Sequence, residues 1–150
     1  MIFHGNTPVT EVILHTAATP GNWYLDKTVG EIVEDIDSWH KQRGWRKIGY
    51  HRVIAPNGSI GVGRSIYEVG AHTKGHNTGS IGICLIPVNT HNGIKTFEDY
   101  FTQEQKETLK SYLKDLGELT EIKKVSGHNE YSPKECPGFY VNTKDWYNDQ

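Results

Sequence analysis

The sequence is short of several things, and each shortage excludes a class of protein. Two cysteines, Cys84 and Cys136, in 150 residues are too few for a disulfide framework. The stretch Met1 to Pro8 has neither the basic start nor the apolar run of a secretory leader. No disulfide is expected, and the chain reads as one made in the cytoplasm without an export signal. Lys and Arg number 16 against 18 Asp and Glu, a formal net charge of −2, and no basic run is long enough to make a phosphate-binding stripe. Nucleic acid is therefore not an expected partner. No window approaches the roughly 18 apolar residues that a membrane span needs, so neither is a membrane. Internal repeats, low-complexity tracts and Pro/Gly/Ser-rich linkers are also lacking.

What is present suits one folded unit. A chain of this length buries roughly 70% of the surface it exposes when unfolded. Its 35% apolar and 23% charged content is ordinary for a globular protein. One domain over residues 1–150 is expected. Glu11 to His15 reads as a strand, and Tyr50 to Ala55 with Ile60 to Gly63 as a hairpin around Pro56-Asn57-Gly58-Ser59. Ser80 to Ile86, apolar almost throughout, reads as a central strand buried on both sides. A helix begins at Thr28, with Glu31 at capping-box spacing, shows Ile32, Ile36 and Trp39 on one face, and stops at Gly44. A second begins at Thr102 with Gln105, carries Leu109, Tyr112, Leu113 and Leu116, and has a stop signal at Gly117. A third, short one runs from about Thr143 to Tyr147. The expected fold class is α/β, a central mixed sheet with helices on both faces.

Of the eight histidines, His15 closes an apolar strand and is followed by small residues that leave its side chain room at a sheet edge. By itself it reads as easily as a capping or solvated residue. The stretch Val125 to Gly138 places His128 just after an expected strand and Cys136 just before Pro137, in a context that disfavours helical backbone. In an extended stretch Lys134 and Cys136 share a face, and an ammonium beside a thiol favours the thiolate that a metal requires. Two imidazoles and a thiolate form a three-ligand set for catalytic zinc, with the fourth position open. Two other readings stay open on spacing alone. One is a buried structural thiol beside a loop histidine, and the other is a Cys136/His128 nucleophile and base pair. Cys84, inside the apolar run, reads as a small core residue.

Several stretches together resemble one family. They are Val12 to Ala18, Trp39-His40-Lys41 with Gly44-Trp45, Gly49-Tyr50-His51, Gly58 to Arg64, Val69 to Leu85, and His128 to Pro137. In this order they resemble the N-acetylmuramoyl-L-alanine amidases of type 2 and the peptidoglycan-recognition superfamily. The resemblance implies one catalytic Zn2+ held by His15, His128 and Cys136, with Tyr50 and Lys134 as catalytic residues. Members that only bind peptidoglycan typically lack the cysteine, so Cys136 implies catalysis. The implied reaction is hydrolysis of the amide joining the lactyl group of N-acetylmuramic acid to L-alanine. Lys134 would face the developing oxyanion, and Tyr50 would position water or donate to the same oxygen.

Substrate contacts are expected from His72, Asn77 and Ser80, in or beside the Gly-punctuated loop Gly70 to Gly79, and from Arg64, which could meet carboxylates of the stem peptide. His51 should point away from Tyr50 in a structural role. His4, His40 and His91 should be solvated or satisfied by neighbours. The resemblance further implies a monomeric phage endolysin acting on bacterial peptidoglycan. It would wait in the host cytoplasm until the membrane is permeabilised. It also implies a second partner, the phage RNA polymerase, which phage members of this family bind and inhibit.

Overall fold

The computed structural model describes residues 1–148. In chain order it has β1 (Phe3–His4), β2 (Thr7–Pro8), β3 (Glu11–Thr16), α1 (Val29–Gln42), β4 (Arg52–Ile54), β5 (Ile60–Val62), β6 (Ser80–Leu85), α2 (Phe97–Tyr100), α3 (Gln103–Leu119), β7 (Lys124–Gly127), a 3-10 turn (His128–Glu130) and α4 (Thr143–Trp146). β1 and β2 form a small antiparallel ribbon, while the other five strands make one sheet in the order β5-β4-β6-β3-β7. Within that sheet of the described residues the β4–β5 pair is antiparallel, and β4–β6, β6–β3 and β3–β7 are parallel. β6 is central and buried at all six positions, as its unbroken apolar run predicts.

Alternation along the strands sorts two cores. Val12, Leu14, Ile81, Ile83 and Leu85 face α2, α3 and α4, where Leu109, Leu113 and Leu116 meet them. Each of these leucines contributes about 1.5–3 kcal/mol by leaving water. On the opposite face Val53, Cys84 and Ile86 pack with Ile32 and Ile36 of α1. His15, one residue beyond Leu14, therefore turns toward the α1 side of the sheet. The layered α/β architecture with helices on both faces is as expected. No helix among the described residues is long and apolar enough to cross a membrane.

The capping boxes Thr28–Glu31 and Thr102–Gln105 both form. Two details of the helices differ from the sequence reading. Trp39 lies 37% exposed, with its ring 5.3 Å from that of Trp23, and the next residue, His40, takes the buried place. The inward face of α1 thus runs Ile32, Ile36, His40, a strict four-residue spacing. Gly117 does not end α3, which continues to Leu119; a Cβ there would lie 2.2 Å from the Tyr147 hydroxyl, so the glycine makes room for that ring. At the end of α1, Gly44 does supply the left-handed residue that stops the helix, at φ +89°.

Candidate metal centre and its cleft

The parallel pairing of β3 and β7 sets Leu14 opposite Gly127, so the next residues, His15 and His128, leave the sheet side by side at its C-terminal edge. Their ring centroids are 4.7 Å apart. That edge is where open α/β sheets present ligand sites. The chain then turns back through the 3-10 segment and delivers Cys136, whose carbonyl accepts the Asn129 N–H at 2.7 Å. The Thr16 N–H points at the Cys136 sulfur from 3.2 Å. Position 127 is crowded: a Cβ there would come within 2.6 Å of Asn129 Oδ1 and 3.0 Å of the Pro137 ring, so any larger residue would displace one of them. One ligand-type atom each from His15, His128 and Cys136 lie within 4.8 Å of one another, and the group could hold a metal ion.

The protonation states suit that role. Burial first, then the neighbouring His72, His128 and His51, hold His15 well below the usual imidazole range. Burial and Lys134 lower His128. Both rings are thus neutral and offer lone pairs. Burial pushes the Cys136 thiol up to about 11, while the Thr16 N–H and Lys134 pull the other way. Lys134 does favour the thiolate, as the sequence predicts, but burial outweighs it. A divalent cation among the three would reverse that balance and displace the proton. A thiol raised this far is a weak nucleophile, which weighs against a cysteine nucleophile with His128 as base. The route by which Lys134 reaches the site also differs: residues 131–137 are bends and turns, not an extended stretch, so folding of the loop brings the two together.

A cleft of about 670 Å³ opens beside His128. Trp45, residues 71–75 and Asn77 line one wall, and residues 131–134 the other. Its described lining carries Lys74 and Lys134 and no carboxylate. A smaller, mostly apolar pocket of about 180 Å³ lies on the far side of Cys136, between Thr16, Ala18, His91 and Glu135. Tyr50 sits against the centre, with its ring 5.2 Å from that of His15. Burial, then Cys84 and Cys136, raise its phenol well above the ordinary value, so it stays protonated and can donate.

The remaining expected site residues fare differently. Asn77 borders the cleft, but its side-chain oxygen accepts the N–H groups of His72 and Thr73, both at 2.8 Å. Ser80 is buried and donates to the His76 carbonyl at 2.7 Å. Arg64 is buried away from the cleft lining; it donates to the carbonyls of Ile48 and Val69, each at 2.9 Å, because the hairpin folds its guanidinium under them. The expected contact with stem-peptide carboxylates gives way there to bracing of backbone. His72 edges the cleft but is buried, with Nδ1 2.9 Å from His15 Nε2. His51 turns away from Tyr50 as expected: Nδ1 accepts from Gly82 N–H at 3.0 Å and Nε2 meets the Glu68 carbonyl at 2.8 Å. His4, His40 and His91 are all satisfied by neighbours.

Sequence reasoning passed over Trp45 and Tyr131 as walls of the cleft. Tyr131 donates to Glu11 at 2.6 Å and stacks on His76 with centroids 3.8 Å apart. Both lie in stretches that carry the family resemblance, but nothing local marks them as cleft walls, since the contacts join segments far apart in the chain.

Comparison with known proteins bears on this geometry. The sequence profile of the N-acetylmuramoyl-L-alanine amidase family matches residues 5–139. The endolysin of Escherichia phage T7 is 36% identical over 136 residues, which span 91% of this chain and 83% of that protein. Among solved structures, the N-acetylmuramoyl-L-alanine amidase LysC from Clostridium intestinale superposes with a TM-score of 0.71 at 28% identity, over 95% of this chain and 83% of that one. Drosophila PGRP-LB gives 0.74 at 26% identity, over 92% and 79%.

Proposed function

Since this chain belongs to the N-acetylmuramoyl-L-alanine amidase family, we propose that it is a zinc-dependent endolysin, which hydrolyses the amide between the lactyl group of N-acetylmuramic acid and the L-alanine of bacterial peptidoglycan. The observation that carries this reading is the convergence of two neutral imidazoles and a thiol within 4.8 Å beside an open cleft. The donor set fits a catalytic zinc of three protein ligands.

When bound, zinc supplies Lewis-acid activation of a water molecule and of the scissile carbonyl. His15 and His128 provide neutral ring nitrogens, and Cys136 a sulfur already facing the Thr16 N–H. A thiolate cancels half of the ion's charge, so a further cation aids the reaction. We assign that part to Lys134, whose ammonium meets the oxygen that becomes negative as the carbonyl turns tetrahedral. Its support is proximity: its charge acts on His15, His128 and Cys136 alike. Tyr50, held protonated, donates to the same oxygen or orients the attacking water. The other lysine of the cleft, Lys74, suits a carboxylate of a stem peptide.

Incubation with purified sacculi, read by mass spectrometry, should release stem peptides with a new L-alanine amino terminus. A chelator should abolish this release and zinc restore it. Activity indifferent to chelators but lost on thiol alkylation would instead make Cys136 a nucleophile and end the zinc reading.

A further inference from the structure

We propose that His72 is the positioning residue of the metal centre: it accepts the Nε2 proton of His15 and so leaves the other ring nitrogen, Nδ1, free to bind the ion. The inference rests on the amidase reading only in taking His15, His128 and Cys136 as metal ligands.

The geometry fixes which nitrogen of His15 does what. Nδ1 is the atom turned to the Cys136 sulfur, 4.0 Å away. A neutral imidazole has one N–H and one lone pair, so a lone pair at Nδ1 requires the proton on Nε2. His15 is 1% exposed, and an N–H buried there needs an acceptor within the protein. His72 Nδ1 stands 2.9 Å from Nε2, and the Thr73 hydroxyl 3.2 Å. The next link runs the same way. With Nδ1 accepting, His72 carries its own proton on Nε2, which is 3.4 Å from Ser80 Oγ. Ser80 gives its hydroxyl proton to the His76 carbonyl at 2.7 Å and keeps lone pairs to accept. Protons therefore point in one direction, from His15 through His72 to Ser80 and on to the His76 carbonyl.

The fold builds a slot for this ring. A Cβ on Gly82, in the central strand, would come within 2.5 Å of the His72 ring, and one on Gly70 would come equally close from another side. Two glycines are thus spent on seating one imidazole. Its backbone N–H is pinned to Asn77 as well. With both ring nitrogens engaged, His72 has none to offer a substrate in the cleft.

The decisive measurement is zinc affinity of the full chain, by chelator competition, beside steady-state kinetics. His72→Ala should bind zinc about 10–100-fold more weakly, with KM unchanged once zinc saturates. His72→Asn, whose side-chain oxygen can stand near the lost Nδ1, should recover most of that affinity. If His72→Ala binds zinc as tightly as the parent and only KM rises, His72 is a substrate contact and the proposal is wrong. Wild-type protein that takes up no zinc would sink the amidase reading itself, a separate outcome. Should the alanine variant fail to fold, long-range proton–nitrogen NMR of the wild-type zinc-free protein decides: His15 must carry its proton on Nε2, and a proton on Nδ1 overturns the proposal.

Discussion

His40 should make the protein sensitive to mild acid. It sits on the inward face of α1, 6% exposed, and its Nδ1 accepts the Gly49 N–H at 2.9 Å. The rings of Trp45 and Tyr50 lie 4.5 and 5.5 Å away. Burial, aided by Arg43 and Arg64 and opposed by Asp37, holds its pKa down at about 4 against 6.5 for a free imidazole. A second proton on the ring would have to sit on Nδ1, facing the Gly49 N–H, donor against donor. Between these two pH values the unfolded chain binds a proton that the folded chain refuses, so stability rises with pH through the window and falls on acidification. The loss from this ring reaches about 3 kcal/mol below pH 4 and is about 2 kcal/mol at pH 5. Against a typical total of about 5–15 kcal/mol, that is readily measured. His40→Asn keeps an acceptor oxygen near Gly49 and cannot titrate. Denaturant unfolding of both proteins in chelator, at about pH 7 and pH 5, should show the parent losing about 2 kcal/mol more than the variant. Equal losses in the two proteins would refute the assignment of the acid sensitivity to this ring.

Three further expectations concern single side chains. Lys134→Ala should lower kcat by roughly 10² or more while zinc content stays stoichiometric; full activity would remove it from the mechanism. Tyr50→Phe should also lower kcat without loss of metal, read by the same pair of assays. Gln105 is fully buried, accepts the Thr102 N–H and donates to the carbonyls of Ile54 and Ile86 at 3.1 and 2.8 Å. Gln105→Leu removes the side-chain donor from the Ile86 carbonyl and the acceptor from the Thr102 N–H, while the Ile54 carbonyl keeps the Ile86 N–H, so thermal or denaturant unfolding should show a loss of about 2–4 kcal/mol.

Much of the fold was legible because local chemistry and tertiary structure agree. The Thr28 and Thr102 caps are written three residues ahead of their Glu and Gln partners, and the run Ser80 to Ile86 has no polar face to expose. His15 and Cys136 stood out because each ends or interrupts a recognisable segment. The misreadings have physical causes. Trp39 fits the apolar period of α1, but its large ring is better served lying over Trp23, while a neutral histidine one position on fills the inner site. Gly117 carries the signature of a helix stop, yet its missing side chain answers a ring thirty residues away. The alliance of His72 with His15 joins residues 57 positions apart, and no local pattern encodes that. The same holds for Arg64, whose charge drew attention to a ligand while its guanidinium went to backbone carbonyls.

His15 and Cys136 stand 121 positions apart in the chain. A ribosome working at about 5–20 residues per second exposes the histidine roughly 6–24 s before the cysteine is made. Until β7 and His128 are made, late in that interval, the nascent polypeptide holds one isolated imidazole of the three candidate donors, and β3 has at most one of the two strands that flank it in the finished sheet. On the zinc reading, a polypeptide cut short before Cys136 lacks one of the three donors, so hydrolytic competence waits on a residue 121 positions beyond the first of them.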